Sequence, residues 1–153
     1  MSAQVLIAGG GIGALAAALA CAQAGCGVRL YEQAGEFSEV GAGLQLGPNA
    51  TRLLQTWGLA AALQAVAAFP QRLQVRSAGD GRALGCLPLG QRSVALYGAP
   101  YAALHRADLH ALLLQALKRQ GAVHLNLNSA VTGYSEVATG VQLSWPDGRG
   151  VEA

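Results

Sequence analysis

A run of glycines near the amino terminus constrains the fold of this 153-residue chain more than any other feature. The segment Gly9-Gly10-Gly11-Ile12-Gly13-Ala14 matches the pattern G-x-G-x-x-G/A, which joins a strand to a helix. Residues 4–8 before it are an apolar run that predicts a strand buried on both faces of a parallel sheet. Residues 12–23 are mostly alanine and leucine, which predicts a helix, and a second strand is predicted over residues 28–32. The sequence therefore predicts an α/β fold that opens with a Rossmann-like βαβ unit.

The residue types in this unit suit a dinucleotide. Gly9 permits the tight turn, Gly11 lets a pyrophosphate approach the backbone, and the small side chain of Ala14 lets the helix pack close to the strand. The helix N-terminus offers N–H groups to phosphates. Glu32 follows Gly11 by 21 residues, where a carboxylate accepts hydrogen bonds from ribose hydroxyls and repels a ribose phosphate. We therefore expect FAD or NAD as the ligand, rather than NADP.

The rest of the chain predicts short elements typical of the start of a β-rich insertion. Residues 41–47 are too rich in glycine for a helix and predict a short strand laid across a ligand. Leucines at helical spacing favour an amphipathic helix, and short segments between glycine turns favour strands. The predicted helices cover residues 48–57, 59–68 and 106–120, and the predicted strands cover residues 72–77, 82–87, 93–97, 123–127, 130–137, 141–145 and 151–153.

Composition excludes several classes of protein. Hydrophobic residues make up 52% of the chain and charged residues 12%, so an intrinsically disordered protein is excluded. The net charge is +2 with no cluster of lysine or arginine, which argues against a nucleic-acid partner. The apolar N-terminal stretch has no basic segment before it and carries four glycines, which argues against a secretory signal and against a membrane anchor. We expect a cytoplasmic protein.

Cysteine and histidine give no sign of a metal site. The three cysteines, Cys21, Cys26 and Cys86, fit no zinc or redox motif and are interpreted as free thiols. The three histidines share no metal-ligand spacing and are interpreted as surface or core residues: His105, His110 and His124. No metal is therefore expected.

Longer segments resemble one enzyme family. Residues 5–13 followed by Leu30-Tyr31-Glu32-Gln33 resemble the start of the FAD-dependent aromatic-ring monooxygenases, the single-component hydroxylases that act on salicylate, hydroxybenzoates and ubiquinone precursors. Residues 40–50 are similar to the family's stretch near the flavin, and His105-Arg106-Ala107-Asp108-Leu109 is similar to the start of a later helix. The resemblance covers essentially the whole chain and is closest to the salicylate and 3-hydroxybenzoate hydroxylase branch.

The resemblance implies FAD as cofactor, NAD(P)H as electron donor and a small aromatic compound as substrate. It implies a pyrophosphate turn, a ribose ligand, contacts to the adenine and contacts near the flavin end. The pyrophosphate turn would be Gly9, Gly11, Ile12, Gly13 and Ala14. Glu32 would be the ribose ligand, and Gln33 and the backbone of Val131 would contact the adenine. Gln45 would lie near the flavin end, and Arg106 would contact the pyrophosphate or ribityl chain. Arg106 as a merely solvated charge is the alternative, but a cation at a helix start opposes the helix dipole unless a phosphate offsets it. The resemblance assigns no catalytic residue.

The expected domain is the N-terminal part of an FAD-binding domain over residues 1–153. The family's later Asp-Gly and Gly-Asp signatures do not occur in their expected contexts, and the chain stops soon after the turn at residues 146–148. We therefore expect a truncated domain whose full-length parent is the monooxygenase and which alone is inactive. Two alternatives stay open: a non-catalytic nucleotide-binding remnant, and another FAD- or NAD-linked oxidoreductase with the same entry fold.

Overall fold

The computed structural model describes residues 3–37 and 41–152. Val40, which opens the second family-like segment, and Ala153 lie outside this part of the chain. In chain order the elements are β1 (Gln4–Ala8), α1 (Ile12–Gln23), β2 (Gly27–Tyr31), β3 (Gly43–Leu46), α2 (Pro48–Thr56), α3 (Ala60–Val66), β4 (Arg72–Arg76), β5 (Ala83–Pro88), α4 (Gly90–Tyr97), β6 (Ala102–His105), α5 (Arg106–Lys118), β7 (Val123–Asn126), β8 (Gly133–Val137), β9 (Gly140–Ser144) and β10 (Gly150–Glu152). They divide into a first unit, residues 1–40 and 110–153, and a second unit, residues 41–109.

The first unit contains the βαβ arrangement. Strand β2 is central in a parallel sheet of order β1-β2-β7, with Val5 opposite Val28 and Leu30 opposite Leu125. Helix α1 connects β1 to β2 and packs on both strands. It has the predicted bounds, and Gly25, just past its C-cap Ala24, has φ of +85°, the left-handed conformation common after a helix. The predicted α/β class and βαβ unit are confirmed.

The predicted burial of β1 is wrong, although the strand itself is present. Its middle residues are only half-buried, and Gln4 and Ala8 are exposed. The reason is that β1 pairs on one side only among the described residues, with β2, whereas β2 has a strand on each side. Accordingly, Val28 and Leu30 of β2 are completely buried.

An antiparallel meander completes the first unit. Strands β8, β9 and β10, predicted over residues 130–137, 141–145 and 151–153, form a sheet of order β10-β9-β8. The ring of Trp145 meets the ring of Tyr31 edge to face at 5.0 Å, and both join Leu143 in one buried cluster. This contact fixes the meander to the end of β2, and Trp145 is a packing residue there.

The second unit consists of two small antiparallel sheets and three helices. Strand β3 pairs with β6, strand β4 pairs with β5, and the β4–β5 hairpin turns at Gly81 with φ of +71°. Helices α2 and α3 lie within the predicted ranges. Thr51 on α2 is buried and donates its hydroxyl to the Pro100 carbonyl at 2.6 Å. The first four residues of α5 belong to this unit and the remainder to the first.

Two predictions in the second unit fail. Residues 93–97, predicted as a strand, lie in α4, which Gly98 ends in the left-handed conformation with its N–H bonded to the Val94 carbonyl. Val94 and Tyr97 suggested a strand, but both are exposed and only Ser93 faces inward, so no two-residue alternation exists. Strand β6 was not predicted. No helix among the described residues is both long and apolar enough to cross a membrane.

Candidate functional site

The glycine turn between β1 and α1 is the centre of the candidate site. Gly9 has φ of +102°, which L side chains rarely adopt, and its N–H donates to the Tyr31 carbonyl at 2.7 Å. Gly11 is the N-cap of α1 in an extended conformation, and no side chain caps this helix end. The first N–H groups of α1 therefore have no side-chain acceptor, which is the arrangement that suits a phosphate.

Glu32 holds the turn from the end of β2. Its Oε2 accepts the Gly10 N–H at 2.5 Å and its Oε1 accepts the Ala34 N–H at 2.8 Å. The side chain is half-buried. A carboxylate has about four lone-pair sites, so ribose hydroxyls can still donate to it while both backbone bonds stand. Glu32 is thus a structural part of the turn as well as the predicted ribose ligand.

Gly10 is more tightly enclosed than Gly9 or Gly13, where an added Cβ would have no atom within 4 Å. A Cβ there would lie 2.7 Å from Cε1 of Phe37 and 2.8 Å from Oε2 of Glu32. His110 on α5 contacts the carbonyl group of Gly10, because its Nε2 lies 2.8 Å from the carbonyl oxygen. We call Glu32, Phe37 and His110 the Gly10 clamp.

Sequence reasoning missed most of this clamp. It treated Gly10 as the free position of the pattern and His110 as a surface or core residue. The core interpretation is correct, since His110 is only 4% exposed. Its ring also lies 6.3 Å from the ring of Phe37. Two features of the sequence could have indicated these contacts. Gly10 completes a run of three consecutive glycines, and His110 is a polar residue on the leucine-rich face of α5.

A small cleft of about 150 Å³ lies at the carboxyl ends of the parallel strands. Such a crevice is where open α/β sheets bind ligands. It brings together four predicted site residues and adds neighbours that were not predicted. The former are Gly9, Glu32, Gln33 and Val131; the latter are Ala8, Tyr31, Ser129 and Ala130. Ser129 donates its N–H to the Glu32 carbonyl at 2.8 Å, which fixes the loop after β7 against β2.

The other predicted residues of the first unit lie in the first turn of α1. Ile12, Gly13 and Ala14 follow the N-cap directly, and Gly13 is exposed with no atom within 4 Å of an added Cβ. The open space over Gly13 leaves room for a ligand at the helix N-terminus.

Gln45 and Arg106 belong to the second unit, whereas the other eight predicted site residues belong to the first. Gln45 is on β3 and its Oε1 accepts a hydrogen bond from the hydroxyl of Tyr101. Arg106 begins α5, and its N–H donates to the Ala42 carbonyl at 3.3 Å. Its side chain passes Gly41 so closely that an added Cβ would lie 2.9 Å from Cδ of Arg106. Gly41 therefore permits the position of this arginine.

No group of three or more histidine, cysteine or acidic side chains gathers anywhere in residues 3–37 and 41–152. Carboxylates with a displaced pKa occur in turns instead. The pKa of Asp147 is lowered because its carboxylate accepts the N–H of Arg149 and also pairs with that guanidinium.

A family model described as "FAD binding domain" matches residues 2–151. The chain belongs to this family of FAD-binding domains. It is 42% identical over 119 residues to the 3-hydroxybenzoate 6-hydroxylase of Polaromonas naphthalenivorans, covering 78% of this chain and 30% of that protein. It is 39% identical over 150 residues to a 3-amino-4-hydroxybenzoate 2-monooxygenase of Streptomyces platensis, covering 98% of this chain and 37% of that protein.

Solved structures agree with these relatives. The FAD-binding domain superimposes on 2-methyl-3-hydroxypyridine-5-carboxylic acid oxygenase with a TM-score of 0.82 at 26% identity, over 99% of this chain and 38% of that one. The resemblance to FAD-dependent aromatic-ring monooxygenases is therefore confirmed, as is FAD as the cofactor. The chain spans about a third of the length of the relatives that it matches.

The residues of this FAD-binding domain fit the group that its family implies. A diphosphate needs a backbone free of side chains beside uncapped N–H groups, and Gly9, Gly11 and Gly13 provide it. A ribose needs an acceptor near that turn, and the carboxylate of Glu32 is bonded to it.

Proposed function

We propose that this FAD-binding domain serves an NAD(P)H-dependent monooxygenase that hydroxylates a phenolic or other small aromatic ring in the cytoplasm. In this reaction one atom of dioxygen enters the ring and the other leaves as water, while NAD(P)H is oxidised. Bound FAD supplies the redox chemistry, and the protein supplies binding and orientation. The names of the relatives, hydroxylases and monooxygenases of hydroxybenzoates, support this substrate class.

Each predicted residue has a proposed part in holding FAD. N–H groups of the turn from Gly9 to Ala14 would bind the diphosphate, and Glu32 would accept hydrogen bonds from the ribose. Gln33 and the backbone of Val131 would contact the adenine from the cleft that they line. Gln45 would lie near the flavin end, and Arg106 would bind the diphosphate or ribityl chain.

The observation that carries this proposal is the hydrogen bond between Glu32 and the glycine turn at Gly10. It joins the acceptor for the sugar to the donors for the phosphates. An acid at this position also disfavours a ribose phosphate, which supports FAD over NADP as the ligand of this site.

Replacement of Glu32 by glutamine tests the site. The variant keeps the size of the side chain and one carbonyl oxygen but removes the charge, and hydrogen bonds to charged groups contribute about 1.5–3 kcal/mol. We expect the Kd for FAD, measured by quenching of flavin fluorescence, to rise by at least about tenfold. Glu36→Gln is the matched control, because Glu36 is an exposed acid of the same loop. Equal FAD affinity in Glu32→Gln and the wild type would refute the assignment of the ribose ligand.

The reaction class is tested with ¹⁸O₂. We expect NAD(P)H oxidation to depend on a hydroxybenzoate and one labelled oxygen atom to appear in the aromatic product. If the protein binds FAD but oxidises NAD(P)H without a phenolic substrate, the proposed reaction is contradicted. The assignment of the FAD site is then unaffected.

A further inference from the structure

The buried imidazole of His110 has no part in the proposed function. It lies on α5 among leucines and is 4% exposed, and its Nε2 is 2.8 Å from the Gly10 carbonyl oxygen. A carbonyl oxygen only accepts hydrogen bonds, so Nε2 must carry the proton. The tautomer of the neutral ring is therefore fixed by this contact.

We propose that His110 is a positioning residue of the FAD site, which orients the Gly10–Gly11 peptide for the diphosphate. The inference rests on the proposed diphosphate-binding role of the glycine turn. His110 itself touches the turn from inside the protein and makes no contact with the cofactor.

The planarity of the peptide bond gives the mechanism. In a trans peptide the carbonyl oxygen and the following N–H point in opposite directions, and no described peptide bond of this chain is cis. The bond from His110 directs the Gly10 oxygen toward the buried side of the turn. The Gly11 N–H on the same peptide must then point away from His110, which is the direction a ligand at the N-terminus of α1 requires.

A glycine turn needs such a restraint because glycine is the residue with the greatest backbone freedom. The peptide before Gly10 is held by Glu32, which accepts the Gly10 N–H. The peptide after Gly10 is held by His110. Phe37 lies against Gly10 and 6.3 Å from the His110 ring. The Gly10 clamp thus fixes both peptide planes before any ligand binds, so less ordering remains to oppose binding.

The first measurement needs no cofactor. In protein labelled with ¹⁵N at histidine, long-range ¹H–¹⁵N spectra of the unliganded state report which ring nitrogen of His110 carries the proton. We expect the Nε2–H tautomer when the ring is neutral. An Nδ1–H tautomer would overturn the proposal, because Nε2 could not then donate to the Gly10 carbonyl.

The second measurement is ligand affinity in three variants. His110→Leu removes the donor at similar volume, and His110→Gln places an amide N–H near the position of Nε2. Leu113→Ala is the matched control, since Leu113 is a buried residue of the same helix with 1% exposure. We expect His110→Leu to weaken binding of FAD about tenfold, as loss of a buried hydrogen bond does. His110→Gln should restore most of that affinity, and Leu113→Ala should leave it unchanged despite lower stability.

ADP and adenosine locate the effect within the ligand. The loss in His110→Leu should appear with ADP and be absent with adenosine, which has no diphosphate. Equal losses in His110→Leu and Leu113→Ala, or no rescue by His110→Gln, would overturn the positioning role. Failure of the wild type to bind FAD would instead contradict the proposed function, while the tautomer spectrum would still decide the bond between His110 and Gly10.

Discussion

Two glycine-rich turns of this chain look alike in sequence and differ in what glycine does there. In the turn before α1, Gly9 has a positive φ and Gly10 is enclosed by the Gly10 clamp. In the β4–β5 hairpin, Gly81 in the turn has a positive φ, and an added Cβ would have nothing within 4 Å either there or at Gly85 on the exposed strand β5. Glycine is therefore required for close approach in the first turn and only for chain reversal in the second.

Gly10→Ala gives the largest expected difference between the two turns. The new methyl group would meet Phe37 and displace the Glu32 oxygen that accepts the Gly10 N–H. Overpacking of this kind costs about 1–3 kcal/mol, so we expect a loss near 2 kcal/mol in the free energy of unfolding, measured with urea. FAD affinity should fall as well.

Gly85→Ala is the matched change in the hairpin. Because the position is open and exposed, the free energy of unfolding should stay within about 0.5 kcal/mol of the wild type. Similar effects of Gly10→Ala and Gly85→Ala would remove the distinction between the enclosed glycine turn and the open hairpin.

Gly13→Ala separates stability from binding within the first turn. Gly13 is exposed in the first turn of α1 with no neighbour within 4 Å, and alanine is a better helix former by up to about 1 kcal/mol. We expect a higher Tm together with weaker FAD binding, because the methyl group would occupy space at the proposed diphosphate site. A variant that is more stable and binds FAD as well as the wild type would exclude Gly13 from the cofactor contact.

Sequence patterns correctly predicted those helices and strands that are determined by residues close together in the chain. The bounds of α1 are correct because alanines, leucines and flanking glycines act within a few residues. Strand β6 was missed because Ala102–His105 has no alternation of its own and becomes a strand by pairing with β3. Residues 93–97 were predicted wrongly because Val and Tyr favour strands only when one face is buried, and here both side chains are exposed.

The candidate site shows the same difference between residues placed by a sequence pattern and residues placed by long-range contacts. Gly9 and Glu32 belong to a spacing rule, so the sequence could place them together. His110 could not be assigned a partner, because that partner is a backbone carbonyl 100 residues away and a carbonyl leaves no signal in the sequence.

The smallest expected effect concerns the acid of each turn. Glu32 is half-buried and accepts two backbone N–H groups, whereas Asp80 in the hairpin is exposed. The hydrogen bond from the side chain of Ser77, followed by that from the N–H of Arg82, lowers the pKa of Asp80. The folded state thus favours the carboxylate, so its stabilising effect is present above the ordinary pKa of about 3.9 and is lost as pH falls through the lowered value.

Asp80→Asn should therefore lower the urea midpoint slightly at neutral pH, because water screens an exposed carboxylate. The difference from the wild type should vanish in strong acid, where Asp80 is protonated in both the folded and unfolded states. Urea midpoints at pH 7 and below pH 3 measure this change. A difference that persists unchanged in acid would show that the amide disturbs the turn by itself.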